Sequence, residues 1–517
     1  MLRVFQNDLA DPDKFIVTLE LVPGREAMGR SVDTVVGIAR DAFSDGRISA
    51  VSITDNPGGN PALSPDVLGH EIFKIGMDVI VHFTCRDMNR VGMESRALQL
   101  AKMGIKNILA LTGDYTGKGF GGQGAPVFDI DSVQLQILLG MLNERLQASG
   151  DPEPFFSGCA VSPFKTTEAE LFAQYAKLCR KASAGAKFVI TQLGYDVDQF
   201  GELIRMMPLL CWDLPVLGSV YVLTPAAARI INAGKVPGAY VSDGLLHRVE
   251  AEWQRPEEGR AAAIDRAAQL AAVLKGLGYK GIHIGGVHRR FDWAGRLLDR
   301  MAGYESQWQD IASRISFPAP GCFRAFPAGA GSPAFGRGLQ ALSLMEKLRF
   351  HFLRRSHDLL FDHGNLLGPL FHKLCALADG TWIEKVVLEA VEDPVKRFLL
   401  NCQRCGDCGI QHVGFLCPES GCPKHMRNGA CGGSNGGKCE VYADRDCIWV
   451  RAYSRLAYAG RSNAMIKGCV PPRMWELNRT SSWFNFHLER DHQSASSEIA
   501  RRCRLDRCKI KAGEGTG

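Results

Sequence analysis

No run of the 517-residue chain approaches the ~18 consecutive apolar residues of a membrane span, so none is expected. The opening stretch, MLRVFQNDLADPDKF, lacks the apolar centre of a signal peptide, which leads to the expectation of a cytoplasmic protein. No strand-like run leads directly into a Gly-x-Gly-x-x-Gly that opens a helical segment, so the dinucleotide fingerprint is missing. Internal repeats and long low-complexity tracts are absent too. Neither sign of charge dominates. The 61 basic and 55 acidic residues leave +6, which argues against a dedicated nucleic-acid binder. With 46% apolar and 22% charged residues the chain is not of disordered composition, and its length suggests two or three domains.

Cysteine, by contrast, is abundant and concentrated. Eight of the 17 fall between Cys402 and Cys447. In a chain without an export signal the cysteines are expected to be reduced, and a cluster of this density reads as metal ligands rather than disulfides.

The first 300 residues alternate short apolar, β-branched runs with longer segments of helical period. The runs are KFIVTLELV (14–22), AVSIT (50–54), DVIVHFT (78–84), KNILALT (106–112), FFSGCAV (155–161), KFVITQL (187–193), PVLGSV (215–220) and KGIHIGG (280–286). They are near-continuously apolar, as parallel strands covered on both faces must be. An open doubly wound sheet would show the same alternation. Eight strands, each with room for a helix, instead predict an α/β fold of the (β/α)8 TIM-barrel class over residues 1–315.

SFPAPGCFRAFPAGAGSPAFGRG (316–338) has no periodicity and is rich in Pro, Gly and Ala, so a linker and domain boundary are expected there. Residues 339–517 read as a helical segment followed by the cysteine-rich module. The basic end, RRCRLDRCKIK (501–511), reads as a solvated terminus. The cysteine spacing is C-x2-C-x2-C-x8-C-x4-C-x8-C-x7-C-x7-C, naming Cys402, Cys405, Cys408, Cys417, Cys422, Cys431, Cys439 and Cys447 as candidate ligands. The opening triple followed by Cys417-Pro418 echoes ferredoxin-type binding of an iron–sulfur cluster. Zinc is the other reading, although Cys405 is shared between two overlapping pairs, unlike a zinc ribbon. Glycines crowd NGACGGSNGGKC (428–439), as tight ligand loops require. His412 and His425 are candidate further ligands, but read rather as surface histidines of the module. The segment lacks the basic–aromatic interleaving of a nucleic-acid-binding finger.

Barrel chemistry gathers at the C-terminal strand ends. Here those ends offer Glu20, Thr54-Asp55, His82 with Thr84, Gly113-Asp114, Ser162, Gln192, Ser219 and Gly285-Gly286. Two carboxylates on different strands, Glu20 and Asp114, can divide acid and charge-stabilising roles if one is drier than the other.

Five of these segments, in order, resemble the methylenetetrahydrofolate reductase family: TLELVP (18–23), SITDNPGG (52–59), HFTCRDMNR (82–90), LALTGDYTG (109–117) and KASAGAKFVITQLGYD (181–196). The resemblance covers roughly residues 10–305, and residues 401–450 resemble a cysteine-rich C-terminal module found with some bacterial members. It implies flavin-dependent reduction of 5,10-methylenetetrahydrofolate to 5-methyltetrahydrofolate in one-carbon metabolism. The cofactor would be FAD or FMN, and the electron donor NAD(P)H or a reduced iron–sulfur partner protein. It further implies Glu20 as general acid, kept protonated by partial burial, and Asp114 as the charge that stabilises the iminium ion and tunes the flavin. Thr54, His82, Asp114 and Lys181 match flavin-holding positions, and Gln192 matches a pterin contact. The fifth strand end, CAVSPFKT (159–166), departs from the family, so no contact is carried over there. In VLGSVYVLT (216–224), Leu223 stands where nicotinamide-using members place an aromatic ring, with Tyr221 nearby. That substitution raises the expectation that electrons enter through the cysteine module. A folate- or corrinoid-linked methyltransferase, with zinc held by the cysteines, is the alternative on the same barrel. The donor, the metal and self-association are left open.

Overall fold

The computed structural model describes residues 4–503 except Pro152, Cys211, Trp212, His363, Leu366 and Ala495. Eight strands close a parallel barrel: β1 (Ile16–Leu21), β2 (Ala50–Ile53), β3 (Val79–Thr84), β4 (Asn107–Leu111), β5 (Phe156–Val161), β6 (Val189–Thr191), β7 (Val216–Tyr221) and β8 (Gly281–Gly285). Each pairs with its neighbours in sequence, and β8 returns to β1 with His283 opposite Thr18. Nearly every strand residue is buried, because the interior fills one face and the outer helices cover the other. The expected barrel is therefore present.

The two ends of the barrel differ. Helix Val4–Ala10 closes the N-terminal end, where Phe5 packs in an apolar layer with Ile16, Ile80, Phe188 and Leu217. The opposite end is open to the loops. Helices Leu344–Phe361, Leu367–Ala378 and Trp382–Leu400, the last continuous through a π-helical turn at Val387–Glu392, precede the cysteine module as expected. Among the described residues no helix is long and apolar enough to cross a membrane.

The cysteine module folds onto the barrel. Helix Ile448–Tyr458 packs along helix Glu168–Ser183, and the buried residues of both belong to one apolar cluster. Asp131 shows how local and long-range order combine. Its Oδ1 caps helix Ser132–Ala148 by accepting from Val133 N and Gln134 N. Its Oδ2 accepts from Asn428 N and Nδ2, both at 3.0 Å.

The segment 316–338 carries no helix or strand, as its composition predicts, yet it is tied down rather than free. Glu202 accepts from Ala325 N and Phe326 N, and Phe335 lies edge-on to Phe172. Glu168, 1% exposed, accepts from Gly336 N, Gly338 N and the Tyr453 hydroxyl. One carboxylate thus clamps the supposed linker and the module's helix to the barrel. Glu168→Ala is expected to cost about 1–3 kcal/mol, because it strands the buried Tyr453 hydroxyl and frees two backbone donors of the segment. The thermal melt should fall, and limited proteolysis should cut 316–338 in the variant but not in the parent chain.

One expectation about cysteine fails. Cys469 and Cys503 form a disulfide, so not every thiol is free. The loop at 469 runs against helix Glu498–Cys503, and Cys469 N donates to Cys503 O. Arg502 also pairs with Glu144, so the part of the basic end up to 503 is anchored; residues 504–511 lie outside the described residues.

Candidate functional site

The barrel mouth holds a cavity of about 520 Å³, within the size range of cofactor and substrate pockets. Glu20, Thr54, His82, Asp114, Lys181 and Gln192 all line it. Five residues expected from separate strand ends and Lys181 of helix Glu168–Ser183 therefore share one space.

Five are positioned by their strand ends, and Lys181 by the last turn of helix Glu168–Ser183. Thr54 is buried and donates from its amide to Leu21 O, closing β2 onto β1. His82 Nε2 meets Ser52 Oγ at 2.6 Å across the β2–β3 pair. Burial pushes the His82 imidazole down to about 4, so it is neutral at physiological pH. Asp55 is structural: it accepts from Thr84 N and Oγ1 and pairs with Arg96, which also holds Asp66. Asp114 Oδ2 accepts from Gly58 N at 3.0 Å. The turn before it needs Gly113, whose φ is +89° and whose missing Cβ would sit 3.0 Å from Thr84 Cβ. Lys181 Nζ donates to Ala160 O at 2.7 Å, and burial lowers its pKa to about 8. Gln192 is engaged with a loop, donating from Nε2 to Pro237 O at 3.1 Å.

Glu20 is held differently from the expectation of a simply dry carboxyl. Burial pushes its pKa up, but His283 and, after it, His82 and His288 outweigh this, and the group ends below its ordinary value. His82 is neutral, and burial lowers His288 as well. His283 is thus the partner that decides the charge of Glu20. Its Nε2 stands 3.8 Å from Glu20 Oε2, and its Nδ1 lies 2.8 Å from Thr18 Oγ1. The Thr18 hydroxyl proton goes to Ile282 O, so Thr18 accepts from His283 Nδ1–H and leaves Nε2 facing Glu20. This pair was missed from the sequence. The available signal was a lone polar residue inside the otherwise apolar run KGIHIGG.

Leu223 is fully buried in a satellite core, so it does not face the cavity. Tyr221 does, with its hydroxyl 3.3 Å from His288 Nε2.

The eight cysteines between Cys402 and Cys447, all free, separate into two sets of four. Cys402, Cys405, Cys408 and Cys417 surround one small cavity and interact electrostatically with one another. Cys422, Cys431, Cys439 and Cys447 form the second set. The first set stands apart from the mouth cavity, as its distance in sequence suggests. The second does not: Cys431, Gly432 and Gly433 wall the mouth cavity itself. Buried lysines hold this loop there. Lys165 Nζ donates to Gly432 O and Ser434 O, Lys177 to Gly429 O, and Lys424, paired with Glu440, to Gly113 O beside Asp114. The Pro237–Gly238 loop closes against the same residues; Gly238, at φ +75°, has no Cβ that would fall 2.7 Å from Gly432 O. Cys439 opens onto a neighbouring cavity of about 340 Å³ beyond that loop. Four thiolates are a complete donor set for zinc or an iron–sulfur cluster, and buried cations offset their charge.

The family profile described as Methylenetetrahydrofolate reductase matches residues 6–290, more than half of the chain, and one described as Methylene-tetrahydrofolate reductase C terminal matches residues 383–476. The Caenorhabditis elegans "Probable methylenetetrahydrofolate reductase (NADPH)" is 26% identical over 193 residues, covering 34% of this chain and 27% of the relative. "Methylenetetrahydrofolate reductase 2" of Saccharomyces cerevisiae is 28% identical over 196 residues, covering 35% and 30%. The chain spans less than a third of the length of either. Among solved structures, an uncharacterized protein from Clostridium thermocellum that binds two copies of 5-methyl-5,6,7,8-tetrahydrofolic acid aligns with a TM-score of 0.39 and 10% identity, over 59% of this chain and 99% of that one.

Proposed function

The chain belongs to the methylenetetrahydrofolate reductase family, and on that premise we propose that it reduces 5,10-methylenetetrahydrofolate to 5-methyltetrahydrofolate, with electrons entering through the cysteine module. The observation that carries this reading is the single cavity shared by six family-matched residues, five of them at strand ends, and Cys431.

A flavin fits the mouth. The cavity has the volume for it, and Gln174 Nε2 is buried on its wall without a hydrogen-bond partner among the described residues. Thr54, His82, Asp114 and Lys181 would hold it, and when bound it supplies the hydride. The chain supplies the rest. The Glu20–His283 pair shares one proton between Glu20 Oε2 and His283 Nε2, and Glu20 relays it to the ring nitrogen of the folate, opening the ring to an iminium ion. Asp114 places a negative charge where that cation develops. Gln192 orients the pterin edge once the Pro237 carbonyl releases its amide. The neutral His82 adds no competing charge.

The cysteine sets fit iron–sulfur ligation better than zinc. A zinc tetrahedron with Zn–S bonds of about 2.3 Å brings its sulfurs within roughly 3.8 Å of one another. Among the described residues no three of these sulfurs lie within 4.8 Å of each other. An iron–sulfur group supplies single electrons, and the second set would hold it against the cavity wall.

The direct test is the absorption spectrum of anaerobically purified protein, followed by rapid mixing of the reduced form with methylenetetrahydrofolate. Flavin bands that reappear on mixing support the reading. A protein that stays colourless after flavin is added defeats it. Asp114→Asn should bind flavin yet slow this reoxidation by about 10²–10³, and an unchanged rate would make Asp114 a loop residue.

A further inference from the structure

The helices that lead into the cysteine module are apolar on two sides. Leu344–Phe361 buries Phe350 against Ile410 and Phe415 of the module. Its outward side carries Met345, Leu348, Phe352 and Leu359, all exposed. Leu367–Ala378 buries Cys375 and Ala378 against Phe484, while Leu367, Leu370, Leu374 and Leu377 face outward. The third helix is inside out. Glu392 and Lys396 are buried and paired, whereas Trp382 is 75% and Phe398 81% exposed. A helix apolar all round is ordinarily a buried helix. Here one side is buried by the chain itself and the other is bare.

We propose that this face is where two copies of the chain associate, each laying its helices against those of the other around a two-fold axis. The spacing identifies the occupant as a helix. Leu367, Leu370, Leu374 and Leu377 follow steps of three, four and three. Met345, Leu348, Phe352 and Leu359 follow the same heptad, with Arg355 filling the one polar position. The area identifies it as a stable contact. With roughly 150–250 Å² for each aromatic and somewhat less for each leucine or methionine, these half-exposed groups present on the order of 1,000 Å² in total. That exceeds the roughly 300–600 Å² of the largest patch on a typical monomer and matches the about 800 Å² per partner of a stable complex. The charges suit a second copy. Among the described residues, exposed Arg349 and Arg355 on the first helix and exposed Glu389 on the third form no ion pair within the chain. A two-fold contact can set one copy's arginines against the other's glutamate. Lipid would accept an apolar stripe of any period and would repel Glu389. The helical pair Leu344–Ala378 lies outside both matched family stretches, so nothing in those matches accounts for its exposed leucines.

Sedimentation equilibrium of the full holo chain at tens of micromolar should return twice 56.6 kDa. The Leu348→Glu/Leu374→Glu double variant should return the monomer with its circular dichroism and metal content unchanged. Hydrogen exchange on the unmodified chain needs no variant: amides of 344–378 should exchange more slowly at high than at low protein concentration. A monomeric parent overturns the proposal, as does a dimer whose exchange at 344–378 ignores concentration. A monomer that sediments with phosphatidylglycerol/phosphatidylcholine vesicles overturns it in favour of a lipid surface.

Discussion

Glu20→Gln reduces methylenetetrahydrofolate about 10²–10⁴-fold more slowly than the parent chain, the range that a positioned general acid contributes. Flavin content and reduction by dithionite stay unchanged, because the amide keeps the shape and loses only the proton. The structure adds a second variant that tells the proton's position from its mere presence. His283 is the group that draws the Glu20 carboxyl below its usual value against the upward push of burial. In His283→Gln that opposition is gone, so the pKa of Glu20 rises. The infrared band of the protonated carboxyl, identified by its loss in Glu20→Gln, should then persist to higher pH than in the parent. A band that titrates identically in both proteins would reduce His283 to a packing residue held by Thr18. Full folate turnover by Glu20→Gln would remove the proposed acid altogether.

The barrel was legible because its signal is local and repeated. Runs such as DVIVHFT and KNILALT are apolar at every position, and only a strand buried on both faces needs that. The strand-end residues were legible for the same reason: in this fold, sequence position at the end of a run is already position at the mouth. Glu20, His82 and Asp114 needed no tertiary information to be placed together. His283 escaped because it lies mid-strand, where polarity reads as an exception to the pattern rather than as chemistry.

What the sequence could not display is how the second half packs on the first. Nothing in SFPAPGCFRAFPAGAGSPAFGRG indicates that Glu168, about 170 residues earlier, will accept from its backbone. Its composition correctly excludes helix and strand, but composition is silent on what a loop rests upon. The partition of the cysteines was hidden likewise. Spacing grouped Cys402, Cys405, Cys408 and Cys417, but the return of Cys431 to the barrel mouth depends on Lys165, Lys177 and Lys424 reaching carbonyls across the interface. Nothing local to those lysines shows the carbonyls they reach. The Cys469–Cys503 disulfide depends on the same kind of distant approach.

Cys431→Ser and Cys405→Ser should each remove about half of the iron and acid-labile sulfide, because they belong to separate four-thiolate sets. Their consequences differ with position. Cys431 lines the cavity that Glu20 and Asp114 share, whereas Cys405 sits in the outer set beside Asp407, whose carbonyl its thiol approaches at 3.5 Å. Loss of either set should stop turnover driven by an external one-electron donor. Folate reduction after direct dithionite reduction of the flavin should survive in Cys405→Ser, since nothing in the outer set touches the mouth. In Cys431→Ser the same reaction should slow as well, because the loop Gly432–Ser434 forms part of the cavity wall and leans on Lys165. Cys431→Ala, assayed beside it, separates the loss of a ligand from a change in polarity: both should lose the same metal. Unaltered iron in Cys431→Ser would mean that the second set is not a ligand set, and the electron path would then have to reach the barrel by another route. Zinc in place of iron, with donor-driven turnover intact in both variants, would make the module a structural clamp on the mouth rather than an inlet.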